Sequence, residues 1–299
     1  MLQHAYQGAF HLTEVVAPAL AHRWAVRLFV HPMKYKRPAR EVALLQDAAI
    51  EECHFAGFYP RPAAAAYYVK YSWGSGPTVL LVHGWAGRGS QLAPLVAPLV
   101  NAGYRVVAFD APAHGDSPGD RTNLLEVSNL IRTLSQEYAG FAAIVGHSFG
   151  GMAAGHALYE GARADKLVTI GSPVTMASVL DGFGSQLNAS LRTVAGVKRA
   201  IEQLAQRDVD TFSLSHTLAG SPVTGLIVHD EEDKEVGCDQ ARLLHRVWPQ
   251  SSLYITQGLG HRRILRDAAT IARIVAFVSD AIDPKEKQRV TMSVVAGAF

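Results

Sequence analysis

From residue 66 onward, short and uninterrupted apolar runs alternate with longer segments of helical rhythm, and few folds accommodate that pattern. The runs are "AYYVKYSW" (66–73), "TVLLVHGW" (78–85), "RVVAFD" (105–110), "AAIVG" (142–146), "KLVTIGSP" (166–173), "VTGLIVHD" (223–230) and "SLYITQ" (252–257). Helices are expected at 122–138, 149–160, 239–247 and 264–281. A strand that is apolar at nearly every position has no side to offer to water, so both of its faces must be covered. Such strands between helices predict an α/β fold with a mostly parallel central sheet and helices on both faces.

Two regions fall outside the alternation. Residues 174–220 hold no good strand, but Leu187, Leu191, Val194, Ile201 and Leu204 recur at helical spacing. They predict a short helical insertion between two strands, placed where it could cover a site at the carboxyl edge of the sheet. Residues 1–65 read as a helical extension ahead of a domain covering 66–299. Within it, Leu12, Val16, Leu20, Trp24 and Leu28, widened by Val15 and Phe29, predict one helix over 9–30 packed on that domain. "HPMKYKRPAR" (31–40) reads as a basic, solvated linker, with a second helix over 40–53.

Composition narrows the partners. A formal net charge of +2 on 299 residues gives no field that would gather nucleic acid. The two cysteines, Cys53 and Cys238, form no metal-binding spacing and read as free thiols in a reducing compartment. The histidines show no ligand spacing either, so no metal and no organic cofactor is expected. No early stretch reads as a signal peptide and no run is long enough to span a bilayer, which predicts a cytoplasmic protein.

The chemistry gathers around "IVGHSFGG" (144–151). Gly146-His147-Ser148-Phe149-Gly150 follows a predicted strand and opens a predicted helix. A strand turning that sharply into a helix brings backbones together, and glycines at 146 and 150 leave the room. Ser148 then sits at the tip of a strained turn, with the free N–H groups of the new helix aimed at the same place. A serine hydroxyl needs a base to take its proton and a third group to orient that base. His261, in the glycine-flanked "GLGHRRIL" after the last strand, is the base. His245 lies within a predicted helix and reads as structural. Among the acids of "IVHDEEDKEV" (227–236), Asp233 is placed to reach His261, whereas Asp230 at the strand end reads as a loop-shaping residue. Developing negative charge would be met by the backbone N–H groups of Phe149 and Trp85, the latter just past "LLVHG". The Trp85 ring is expected to line the substrate pocket. Arg88 nearby is either a solvated cation or a contact for a substrate anion.

"HGW" (83–85), "DAPAHGDS" (110–117), "GHSFGG" (146–151) and the pair "HDEEDKEV" and "GLGHRRIL" occur in one order, and together they resemble the α/β-hydrolase superfamily over about residues 66–282. The resemblance implies Ser148 as nucleophile, Asp233 and His261 as its partners, Trp85 and Phe149 as oxyanion donors, and the insertion as a cap. It implies serine esterase chemistry on a small to medium, mostly apolar acyl group, and it disfavours the relatives that use aspartate as nucleophile. The alternatives are thioester or carbon–carbon cleavage on the same triad, or a binding protein of the same fold. The oligomeric state is open.

Overall fold

The computed structural model describes residues 2–58 and 66–279. Eight strands form one sheet: β1 (Ala49–Phe55), β2 (Ala66–Trp73), β3 (Thr78–Val82), β4 (Arg105–Asp110), β5 (Ala143–His147), β6 (Lys166–Ile170), β7 (Thr224–Asp230) and β8 (Ser251–Thr256). Their spatial order is β1-β2-β4-β3-β5-β6-β7-β8. The β1–β2 and β2–β4 pairs are antiparallel, and every other pair is parallel.

The helices are α1 (Leu2–Val16), α2 (Pro18–Val30), α3 (Ala39–Leu44), α4 (Val96–Asn101), α5 (Leu124–Glu137), α6 (Phe149–Tyr159), α7 (Met176–Leu187), α8 (Leu191–Ala205), α9 (Leu214–Thr217), α10 (Cys238–Val247), α11 (Gly260–Arg263) and α12 (Ala268–Val278).

The apolar strands are covered on both sides, as their composition requires. Leu80, Val82, Val107, Ile144 and Leu167 face one way, against Leu130 and Leu134 of α5 and Ala153 and Ala157 of α6. Val79, Leu81, Val106, Val145 and Val168 face the other way, against Leu99 of α4 and Ile274 and Phe277 of α12. Neighbouring residues of β3 thus belong to different cores, which is the two-residue period of a strand. Among the described residues both cysteines are free thiols, and no helix is long and apolar enough to cross a membrane.

The amino-terminal region departs from expectation in three ways. The predicted helix over 9–30 is two helices, broken at Ala17 ahead of Pro18, because proline lacks the N–H and restricts the residue before it. The predicted helix over 40–53 ends at Leu44. Residues 49–55 instead form edge strand β1, so the sheet crosses the boundary expected at residue 65.

The third departure concerns packing. Helices α1 and α2 pack on the 66–299 domain chiefly through α7 and α8 of its insertion, sharing a core of Phe10, Ala21, Ala25, Leu180, Leu187 and Val197. The buried residues on α2 are alanines, which let the helix axes approach. The predicted apolar stripe is split: Leu12, Val16 and Leu20 are all more than half exposed, whereas Trp24, Leu28 and Phe29 pack on this core. In the insertion, the single helical face drawn from Leu187 to Leu204 is likewise split. A left-handed Asn188 ends α7, and Leu191 and Leu204 are exposed.

The linker is not solvated throughout. Arg37 donates to the buried Asp110 carboxylate at 3.0 Å and to Tyr71 Oη at 3.0 Å. Arg88 is neither free nor aimed at the site. Its Nε and Nη2 donate to the two oxygens of Glu41 at 2.6 and 2.9 Å, and Ser90 Oγ donates to the same carboxylate at 2.7 Å. Burial alone would raise the Glu41 pKa, but the bonds from Arg88 and Ser90 hold it below the usual carboxylate value. Removing one partner strands a buried charge. Glu41→Ala is therefore expected to destabilise by about 3 kcal/mol, with much of the loss recovered in Glu41→Leu/Arg88→Met. Urea unfolding midpoints check this, and a single-variant cost equal to that of the double would contradict it.

Candidate active site

The sharp turn between β5 and α6 holds Ser148 at φ 53° and ψ −123°, outside the regions open to ordinary L-residues. Such a backbone costs about 1–3 kcal/mol and persists only where its surroundings enforce it. Here Ser148 N–H donates to Ile170 O at 2.8 Å, tying the turn to the end of β6. A Cβ at Gly146 would lie 2.5 Å from Gly151 Cα, and one at Gly150 would run into the Val82 and His83 carbonyls. The glycines are therefore required by close approach of backbones, as the motif suggested.

Asp233 and His261 meet across the β7 and β8 loops. His261 Nδ1–H donates to Asp233 Oδ2 at 2.7 Å, with the aspartate side chain 1% exposed and the histidine side chain 7% exposed. The other oxygen, Oδ1, accepts the Glu235 and Val236 N–H groups at 2.8 and 2.9 Å. Burial pushes the Asp233 pKa up, but the bond from His261 and these backbone donors outweigh it, so the carboxylate stays below its usual range and ionised. Asp230 does shape the loops. It accepts Thr256 Oγ1 at 2.7 Å and the backbone N–H groups of Leu259 and Glu232 at 3.0 Å each.

The His261 ring reaches the serine turn through its surroundings. It packs 4.7 Å from the ring of His147, the residue before Ser148. A Cβ at Gly171, the residue after Ile170, would lie 3.2 Å from His261 Nδ1, so the glycine with φ +55° lets the ring sit against β6. Ser148 Oγ has no hydrogen-bond partner among the described residues, and a serine–histidine bond of this kind often tightens only with substrate bound.

Four buried histidines brace these loops, and the sequence reading passed over their contacts. Burial, and then the neighbouring His261, lowers the His147 pKa to about 3. His147 is therefore neutral, and its Nε2–H donates to the His261 carbonyl at 3.0 Å. His229 is held neutral chiefly by burial, and donates from Nε2 to Val236 O at 2.9 Å, fixing the loop that carries Asp233. His83 donates from Nδ1 to Gly84 O at 2.7 Å and accepts Ala111 N–H at 3.0 Å. His114, lowered to about 3 by burial and then by His83, accepts Ala86 N–H at 3.1 Å and donates to Pro112 O at 3.1 Å. Ala86 has φ 54°, so His114 holds a strained residue directly after Trp85. Each histidine stands inside a quoted motif, but the sequence gives no sign of which carbonyl it would meet.

The backbone N–H groups of Trp85 and Phe149 have no acceptor among the described residues. Phe149 opens α6, whose first N–H groups lack partners within the helix. The two side chains meet edge to face at 5.3 Å, and Trp85 also lies 5.3 Å from the His114 ring. The ring expected to line a pocket thus stands beside the serine turn. Among the described residues no group of acidic, cysteine and histidine side chains is arranged to hold a metal ion.

Known proteins share this architecture. Among solved structures, an esterase from Exiguobacterium antarcticum superposes with a TM-score of 0.58 at 19% identity, covering 76% of this chain and 99% of that one. The thioesterase domain from the curacin biosynthetic pathway gives a TM-score of 0.54 at 20% identity, covering 77% and 99%. At those identities the likeness establishes the fold alone. Among curated proteins, the pimeloyl-[acyl-carrier protein] methyl ester esterase of Aeromonas hydrophila is 30% identical over 170 residues, 51% of this chain and 65% of that protein. The chain thus spans less than two thirds of that relative's length. A family model described as the alpha/beta hydrolase family matches residues 79–274. That span takes in the Ser148 turn and both loops that meet at His261, and the chain belongs to the alpha/beta hydrolase family.

Proposed function

We propose that the protein is a serine hydrolase that cleaves a carboxylic ester with a small to medium, mostly apolar acyl group. The observation that carries this reading is the His261–Asp233 pair standing beside a serine held at positive φ. Asp233 fixes the histidine tautomer with Nδ1 protonated, which leaves the lone pair of Nε2 to take the Ser148 proton. The serine oxygen then attacks the ester carbonyl, and the N–H groups of Phe149 and Trp85 receive the charge that develops on the carbonyl oxygen. His261 passes its proton to the departing alcohol, leaving an acyl-Ser148 ester. Water, deprotonated by the same histidine, releases the acid.

A series of p-nitrophenyl esters, from acetate to palmitate, tests the proposal. Turnover by the wild type with a preference for short or medium chains supports it. Inactivity across the series, together with labelling of Ser148 by a fluorophosphonate, would move the assignment to thioester or carbon–carbon cleavage. Absence of both would leave a binding protein of the same fold.

One charge at the mouth should tune the reaction. Glu235 Oε2 lies 3.9 Å from His261 Nε2, while Arg262 Nε holds Glu235 Oε1 at 3.0 Å. A carboxylate beside Nε2 favours the imidazolium that forms as Ser148 attacks. Glu235→Gln is expected to reduce kcat about threefold to tenfold, because the imidazolium formed as Ser148 attacks loses a neighbouring carboxylate. An unchanged kcat would show that Arg262 cancels the carboxylate.

A further inference from the structure

Helices α1 and α2 carry an outward face that none of the described residues covers. Leu12, Val15, Val16 and Leu20 are 62%, 70%, 74% and 51% exposed, although they lie in consecutive turns of ordered helix. Leu191, at the start of α8, is 86% exposed as well. It sits beside α1 because its neighbour Ser190 donates from both N and Oγ to the Glu14 carboxylate. A cluster of large apolar side chains on this scale is uncommon on a free surface and marks a place of contact.

The charge around the ridge indicates what makes that contact. The formally charged side chains on α1 and α2 are Arg23 and Arg27 against one acid, Glu14, whose carboxylate accepts from Ser190. Arg23 and Arg27 are exposed and follow Leu20 by three and seven residues, so they extend the same helical face. Apolar side chains that run into cations on one helix face suit a bilayer surface: the apolar part enters the acyl boundary and the cations meet anionic headgroups. The ridge is borne by α1 and α2, which share one core with α7 and α8 of the insertion that follows β6.

We infer that the outer face of α1 and α2 is a peripheral docking surface for an anionic lipid bilayer. The inference concerns where the protein sits, and it stands whether or not Ser148 is a nucleophile. Deleting residues 1–40 would strip Phe10, Ala21 and Ala25 from the shared core, so exposed point substitutions are the sound test.

The wild type, Val15→Glu/Val16→Glu and Arg23→Glu/Arg27→Glu would be sedimented with two kinds of vesicle, phosphatidylcholine alone and phosphatidylcholine mixed with phosphatidylglycerol. The expected result is binding of the wild type to the mixed vesicles, weakened by salt. Each double variant should bind about tenfold less tightly or worse, with an unchanged thermal melt. Wild type that stays in the supernatant with both vesicles would overturn the inference, as would variants that bind as well as wild type. A wild-type dimer in solution that Val15→Glu/Val16→Glu dissociates would also overturn it, assigning the ridge to a second copy of the chain.

Discussion

Ser148→Ala is expected to lower kcat for ester hydrolysis by about four to six orders of magnitude, while KM and the unfolding midpoint stay near wild type. Alanine has the same Cβ as serine, so the positive φ at residue 148 costs the variant what it costs the wild type. The change removes only an oxygen that bonds to nothing among the described residues. Loss of activity could not then be assigned to loss of fold. His261→Ala should be nearly as severe, and the double variant should be little worse than either, because serine and base act as one unit. Rates measured with an activated ester, with equal chain concentrations verified by absorbance, decide the matter. A Ser148→Ala enzyme that keeps more than about one hundredth of the activity would remove Ser148 as nucleophile.

The second large effect is expected in acid. Burial lowers the pKa of His147 and His114 to about 3 and of His156 to about 4, from an ordinary 6.5. These folded values lie below the unfolded one, so the unfolded chain takes up protons first as pH falls. Their contribution to stability is therefore complete above about pH 6.5 and is lost progressively toward pH 3–4. Each histidine costs about 1.4 kcal/mol per pH unit in that window. Between about pH 7 and pH 5 the three together should cost about 4–6 kcal/mol, a large share of the 5–15 kcal/mol that holds a typical domain. Urea midpoints measured across that range should fall steeply. A midpoint unchanged between pH 7 and pH 5 would show that these rings gain access to water or protons without unfolding.

Much of the sheet domain was legible in the sequence because each strand states its own burial. "TVLLV" and "VTGLIVHD" are apolar throughout, and the structure covers both faces of each. The serine turn was legible for a related reason, since glycines at 146 and 150 mark a place where backbones meet. Asp233 could be preferred over Asp230 because a residue at a strand end is committed to the loop that leaves it.

What the sequence concealed was partnership over distance. The period of Leu12, Val16 and Leu20 is real, but period does not say which face is covered. Ala21 and Ala25 won the interior because small residues allow close helix contact, a preference that counting large apolar residues cannot register. Glu41 and Arg88 show the same limit from the polar side. Each is an unremarkable surface residue by composition, and only the fold brings them within 2.6 Å and makes either costly to remove alone.

The shared core of α1, α2, α7 and α8 has a consequence for how the chain matures. Phe10, Ala21 and Ala25 meet Leu180, Leu187 and Val197, with well over a hundred residues of sheet domain between them. A ribosome adding about 5–20 residues per second needs on the order of ten seconds to supply the second half of that contact. During that interval the nascent α1–α2 hairpin has an apolar surface on both sides: one that the insertion will cover and one that the described residues of the folded chain leave open. The α1–α2 segment thus emerges well before the helices that cover it, so the time before α7 and α8 appear is when this protein most needs protection from aggregation.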